Sequence, residues 1–156
     1  FSRGMPSAEV AFVGEGPGYH EDQEGKPFVG AAGKLLDRMI QAMRYHPNDV
    51  YICNVVKCRP PENRTPLPDE VATCLPYLEQ QLRLVSPRVI VALGKCASQA
   101  LQPEGTSMRG WRGTWSKWHG IDVMSTYHPA FLLRSPEQKK ITWEDLKQVM
   151  QKLGNP

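Results

Sequence analysis

Four short apolar runs alternate along the chain with longer stretches of helical periodicity. The runs cover residues 10–13, 50–56, 89–93 and 123–126, each about the length of a buried strand. Between the first two, Leu35, Leu36, Met39, Ile40 and Met43 recur at the spacing of one helix face over 31–43. Pro68, Asp69 and Glu70 then open a helix, with acids set against the positive end of its dipole. Its apolar stripe is Val71, Cys74, Leu75, Leu78, Leu82 and Val85. A short helix is expected over 97–101 and an amphipathic one over 141–153. The stretch 105–119 is broken by glycines and carries Trp111, Trp115 and Trp118 among Arg109, Arg112 and Lys117. Strands alternating with helices predict an α/β fold, a three-layer α/β/α sandwich around a short, mostly parallel central sheet. No repeat or low-complexity linker divides the chain, so residues 1–156 are expected to form a single domain.

In such a sheet the polar loops at the carboxyl ends of the strands share one edge, where loops distant in sequence can line one cavity. Glu15 follows the first run, Asn54 interrupts the second and His128 follows the last. The loop after the first run reads V-G-E-G-P-G-Y-H-E-D-Q-E-G-K-P-F-V-G over 13–30. Gly14, Gly16 and Gly18 free its backbone, Pro17 stiffens it, and Glu15, Glu21 and Asp22 precede the aromatic Phe28. A tight structural turn would use the same glycines. Asparagine suits a strand interior poorly, so Asn54 is expected at the strand's end, satisfying a turn or serving a site. Its amide offers a donor and an acceptor to a base edge, an aromatic such as Phe28 can stack on a base, and a histidine can donate to an oxygen gaining negative charge. Lys57, Arg59 and Arg64 face one carboxylate, Glu62, in the proline-rich loop 57–66; they either meet phosphates or are solvated. The apolar Phe131-Leu132-Leu133 either packs under its loop or wedges into a duplex.

Composition narrows the field. Hydrophobic content of 40% and charged content of 22% in 156 residues are those of an ordinary globular protein. No apolar run reaches membrane-spanning length and no signal peptide is visible, which predicts a cytoplasmic protein, expected to be a monomer. A net charge of +3 permits an anionic partner without requiring one. The four cysteines form no C-x-x-C pair, which excludes zinc-ribbon and thioredoxin chemistry. Cys53 and Cys96 lie in apolar segments and read as core thiols.

Three groups of residues, in order and in register, resemble the uracil-DNA glycosylases of family 4, the thermostable iron–sulfur kind. They are G-E-G-P-G-x-x-E-D with K-P-F-V-G-x-A-G, then Y-I-C-N-V-V-K-C-R-P-P-x-N-R-T-P, and T-Y-H-P-A-F-L-L-R. The likeness spans residues 8–150. It implies the α/β/α fold above, and hydrolysis of the bond joining uracil to deoxyribose in single- or double-stranded DNA, leaving an abasic site. By position, Phe28 would stack on the flipped uracil, Asn54 would read its polar edge, and Glu21 would guard the 5-position against thymine's methyl. His128 would steady the departing anion through its O2, while Glu15 and amides around Gly16 would organise the attacking water. Asn63 also belongs to the family's site pattern. Leu132 or Phe131 would fill the gap left by the flipped base, and Lys57, Arg59, Arg64 and Arg134 would hold phosphates. The best-known glycosylases of this superfamily carry an aspartate where this chain has Gly16, so the general base is not evident.

The resemblance also implies a [4Fe–4S] cluster, with Cys58 and Cys74 at two of its ligand positions. The other two normally come from a C-x-x-C pair ahead of the first apolar run, where this chain has F-S-R-G-M-P-S-A-E. Four thiolates are the usual requirement. The expectation is therefore that a parent protein with a longer N-terminal segment binds the cluster and that this stretch alone holds it incompletely. Three rival functions remain. A nucleotide-phosphate enzyme is disfavoured because Gly30-Ala31-Ala32-Gly33-Lys34 lacks the spacing and hydroxyl of a P-loop. A non-catalytic reader of uracil-containing or damaged DNA is kept open by Gly16. A sister-family glycosylase with another base preference is the third.

Overall fold

The structure is a computed structural model that describes residues 2–16, 23–26, 28–57, 66–102 and 107–155. Its strands are β1 (Ser2–Gly4), β2 (Val10–Gly14), β3 (Tyr51–Asn54), β4 (Val89–Leu93), β5 (Trp115–Trp118) and β6 (Ile121–Thr126). Its α-helices are α1 (Ala31–Ala42), α2 (Pro68–Val85), α3 (Lys95–Leu101), α4 (Met108–Trp111), α5 (Pro129–Arg134) and α6 (Lys139–Lys152). The sheet runs in the order β1-β3-β2-β4-β6-β5. Its four central strands are parallel, and β1 and β5 close the edges antiparallel.

Strand alternation builds the three layers. Val10 and Phe12 of β2 face Leu36, Ile40 and Met43 near α1, together with Leu146, Val149 and Met150 of α6. Ala11 and Val13 face the other way, onto Leu78, Leu82 and Val85 of α2 and Ala97 and Leu101 of α3. Each large side chain so buried stabilises the fold by roughly 1.5–3 kcal/mol. The period of two in the strands and the helical period between them thus converge on one architecture, the mostly parallel sandwich expected from the sequence.

Two additions concern the edges. β1 is three residues long and includes a charged side chain and a glycine, so it carries no strand pattern. β5, W-S-K-W, lies inside the glycine-broken stretch and is set by its pairing with β6. A buried polar knot ties α6 to the end of β6. Asp145 accepts from Arg112 Nε at 3.0 Å, from Arg112 Nη2 at 2.6 Å, and from Thr126 Oγ1 at 2.7 Å. That bidentate pairing leaves the buried carboxylate satisfied. Thr126 is the last residue of β6, two before His128, so the knot holds the strand end from which the third motif departs.

Candidate active site

The carboxyl ends of β2 and β3 are stitched together beyond the regular ladder. Val55 N–H donates to the Gly14 carbonyl and Val56 N–H to the Glu15 carbonyl, each at 2.9 Å. Asn54 is therefore held at the strand end rather than within the strand, as its residue type predicted. Its side chain is 1% exposed, and its Oδ1 has no hydrogen-bond partner among the described residues. An unpaired buried acceptor costs roughly 1–3 kcal/mol, so it marks a place where a donor is due to arrive.

A cavity of about 50 Å³ adjoins it, lined by Gly16, Phe28, Ala32, Gly33, Asn54 and His128. Four of the residues singled out in the sequence, Gly16, Phe28, Asn54 and His128, thus meet in one place. The Phe28 and His128 rings stack with centroids 5.4 Å apart and planes 27° from parallel. Phe28 has φ +56°, a left-handed conformation that costs a non-glycine residue of order 1–3 kcal/mol and persists where its surroundings enforce it. Two glycines make room for it. A Cβ at Gly33 would lie 1.9 Å from the Phe28 carbonyl oxygen. A Cβ at Gly14 would lie 2.4 Å from the Phe28 ring and 2.8 Å from Asn54 Oδ1. These glycines shape the floor and wall of the cavity by close approach. The sequence pattern F-V-G-x-A-G contained that information without disclosing what Gly33 touches.

His128 caps α5, its Nδ1 accepting from Ala130 N–H at 3.0 Å. With Nδ1 an acceptor, the neutral imidazole carries its proton on Nε2. The amino-terminal turn of α1, including Ala32 and Gly33, borders the same cavity and brings the positive end of that helix to it.

Other expected site residues fall elsewhere. Glu15, half-buried at the end of β2, lines a separate cavity of about 480 Å³ with Pro66, Pro68, Lys95, Cys96 and Gln99. Burial raises its carboxyl above the usual range. Leu132 does not suit the wedge expected of it. It is 1% exposed and lines, with Leu35 and Met39 of α1 and Leu146 of α6, a cavity of about 200 Å³. The neighbouring Leu133 is 44% exposed, and the half-buried Phe131 ring lies 4.8 Å from that of Tyr127. The helical turn itself decides this: one face of α5 goes to the core, and Leu132 is on it. Arg134 is exposed at the helix end. Lys57 departs from the phosphate role as well. Its ammonium donates to the Asn54 carbonyl and to Gln81 Oε1, and burial lowers its pKa. Glu21, Asp22, Cys58, Arg59, Asn63 and Arg64 lie outside the described residues.

Against this geometry, a family model, the Uracil DNA glycosylase superfamily, matches residues 1–147. The chain belongs to that superfamily. It is 45% identical over 155 residues to the Type-4 uracil-DNA glycosylase of Sulfurisphaera tokodaii, covering 94% of this chain and 70% of that protein. It is 46% identical over 148 residues to the Type-4 uracil-DNA glycosylase of Thermotoga maritima, covering 92% and 77%. A third such enzyme, from Saccharolobus solfataricus, is 42% identical over 161 residues, covering 97% and 74%. Within the superfamily, an iron–sulfur cluster would need a thiolate set that the described residues do not provide. Of the two expected ligands only Cys74 is described, its Sγ accepting from Lys57 N–H at 3.4 Å. Burial pushes the Cys53 and Cys96 thiols up to about 11 and about 12, so both are protonated in the folded chain, as core thiols are. Among the described residues no group of three or more His, Cys, Asp or Glu is placed to hold a metal ion, and no helix is long and apolar enough to cross a membrane.

Proposed function

We propose that this chain excises uracil from DNA by hydrolysing its N-glycosidic bond, with the Asn54 cavity receiving the extruded base. The observation that carries the reading is the buried, unpartnered Oδ1 of Asn54 beside Phe28 and His128. Uracil offers N3–H to that oxygen and O4 to the amide nitrogen. Cytosine presents a lone pair at N3, so two acceptors would face each other in a dry site and the base would be rejected. Phe28 stacks on the base. Glu21, by the family resemblance, guards the 5-position against a methyl group.

Uracil leaves as an anion while the sugar becomes cation-like, so stabilising separated charge is the main task. His128 Nε2–H donates to O2 as negative charge gathers there, and the α1 amino terminus adds a fixed positive potential. Gly16 brings backbone rather than a carboxylate to the cavity, so the attacking water is assigned to amides around Gly16 and, by the family resemblance, to Glu15, whose side chain lines the separate cavity described above. Extrusion costs a few kcal/mol, offset by phosphate contacts from Arg59, Arg64 and Arg134 and by a wedge on the exposed side of α5, where Leu133 and Phe131 take the place expected of Leu132. Asn63 contributes by resemblance. Cys58 and Cys74 would supply two thiolates of a [4Fe–4S] cluster that takes no part in these steps, and iron and sulfide analysis of the full-length protein checks that, an iron-free product counting against it.

The test is release of free base from single-stranded, U·G and U·A oligonucleotides, with T·G as control. Uracil release without thymine release is the expected result. Binding without release would instead favour a non-catalytic reader of such DNA, and thymine release would undo the role of Glu21.

A further inference from the structure

We infer that Arg3, on the edge strand β1, is a positioning residue that fixes Phe28 for base stacking. This rests on the reading of Phe28 given above. Arg3 is paired in register with Ile52, two residues before Asn54, so β1 flanks the strand that carries the base-reading amide. From there one guanidinium nitrogen, Nη2, donates to the Phe28 carbonyl at 3.1 Å and to Asp37 Oδ1 at 2.8 Å. Asp37 lies one helical turn beyond Gly33 on the same face of α1. Gly33 is also the residue whose missing Cβ lets the Phe28 carbonyl lie against the helix.

The Phe28 carbonyl therefore sits in a cradle with a bare helix surface on one side and a cation on the other. A left-handed backbone at Phe28 is unfavourable by itself and relaxes unless its neighbours over-determine it. The cradle supplies that constraint: in this orientation the carbonyl accepts from Arg3, and the ring projects toward Asn54 and His128. Asp37 orients the guanidinium, so the pair acts through geometry more than through its partly solvated Coulombic attraction. None of the three motifs that resemble the family contains Arg3, and it is not among the described residues that line the cavity beside Asn54. Its effect travels through Phe28.

Arg3→Met keeps the side-chain stem and removes both Nη2 hydrogen bonds, and Arg3→Lys restores a charged donor. Each variant, with Phe28→Ala and the double variant, is compared for inhibition by free uracil, single-turnover uracil release and thermal unfolding midpoint. Arg3→Met is expected to weaken uracil binding and slow release by about tenfold with an unfolding midpoint near that of the parent, and Arg3→Lys to fall between. Added to Phe28→Ala, it is expected to cause no further loss. Wild-type uracil affinity in Arg3→Met, or a full additional loss in the double variant, overturns the inference. If Phe28→Ala itself binds uracil normally, the stacking reading fails and the inference falls with it, a result distinct from failure of Arg3 alone. Should Arg3→Met not fold, Asp37→Asn, which removes the orienting charge, is expected to give the same pattern in milder form, and normal uracil binding there overturns the inference.

Discussion

At the scale of single residues, position within a strand was more telling than composition. Asn54 was legible because asparagine is out of place inside a strand, and it does terminate β3. Arg3 and Gly33 were not legible, because their importance lies in what they touch across the fold: a carbonyl 25 residues away for Arg3 and the same carbonyl for Gly33. Glu15 adds a titration. Burial raises its carboxyl above the ordinary 4.5 in the folded chain, so the folded state holds that proton more tightly than the unfolded state does. Its contribution therefore makes stability fall as pH rises from 4.5 through the raised value. Glu15→Gln lacks this penalty. Its unfolding midpoint should match the parent's at about pH 4 and exceed it increasingly toward about pH 7. A constant gap would mean that burial leaves the Glu15 carboxyl unshifted, and a gap of opposite sign that a partner stabilises its carboxylate.

At the scale of elements, periodicity located α1 and α2 because each buries one broad face, and it missed β1 and β5 because short edge strands take their structure from their neighbours. The same physics redistributes the apolar triplet on α5. A helix that caps itself with His128 and buries Leu132 must present Leu133 outward. Leu132→Ala should therefore cost about 2–5 kcal/mol of stability, as core truncations do. Leu133→Ala should leave stability within about 0.5 kcal/mol while slowing uracil release from duplex more than from single strands. Denaturant unfolding and single-turnover kinetics on the two substrates separate these effects. Equal slowing on both substrates by Leu133→Ala would remove Leu133 from the wedge and leave Phe131.

At the scale of the whole molecule, the parallel sheet does what its topology allows. It delivers Gly16 after β2, Asn54 at the end of β3 and His128 after β6 to one edge, although they are far apart in the chain. That convergence could be anticipated, because parallel strands place their carboxyl ends together. Lys57 could not be assigned from the sequence, since only the packed α2 reveals that Gln81 and the Asn54 carbonyl engage its ammonium. The central claim, that the cavity beside Asn54 receives and releases uracil, is tested most directly by single-turnover release of free uracil from a single-stranded oligonucleotide, comparing the parent with Asn54→Ala and confirming folding by unfolding midpoint. The parent should release uracil, and Asn54→Ala should be slower by about a hundredfold or more with its fold intact. Undiminished release by a folded Asn54→Ala variant would contradict the claim.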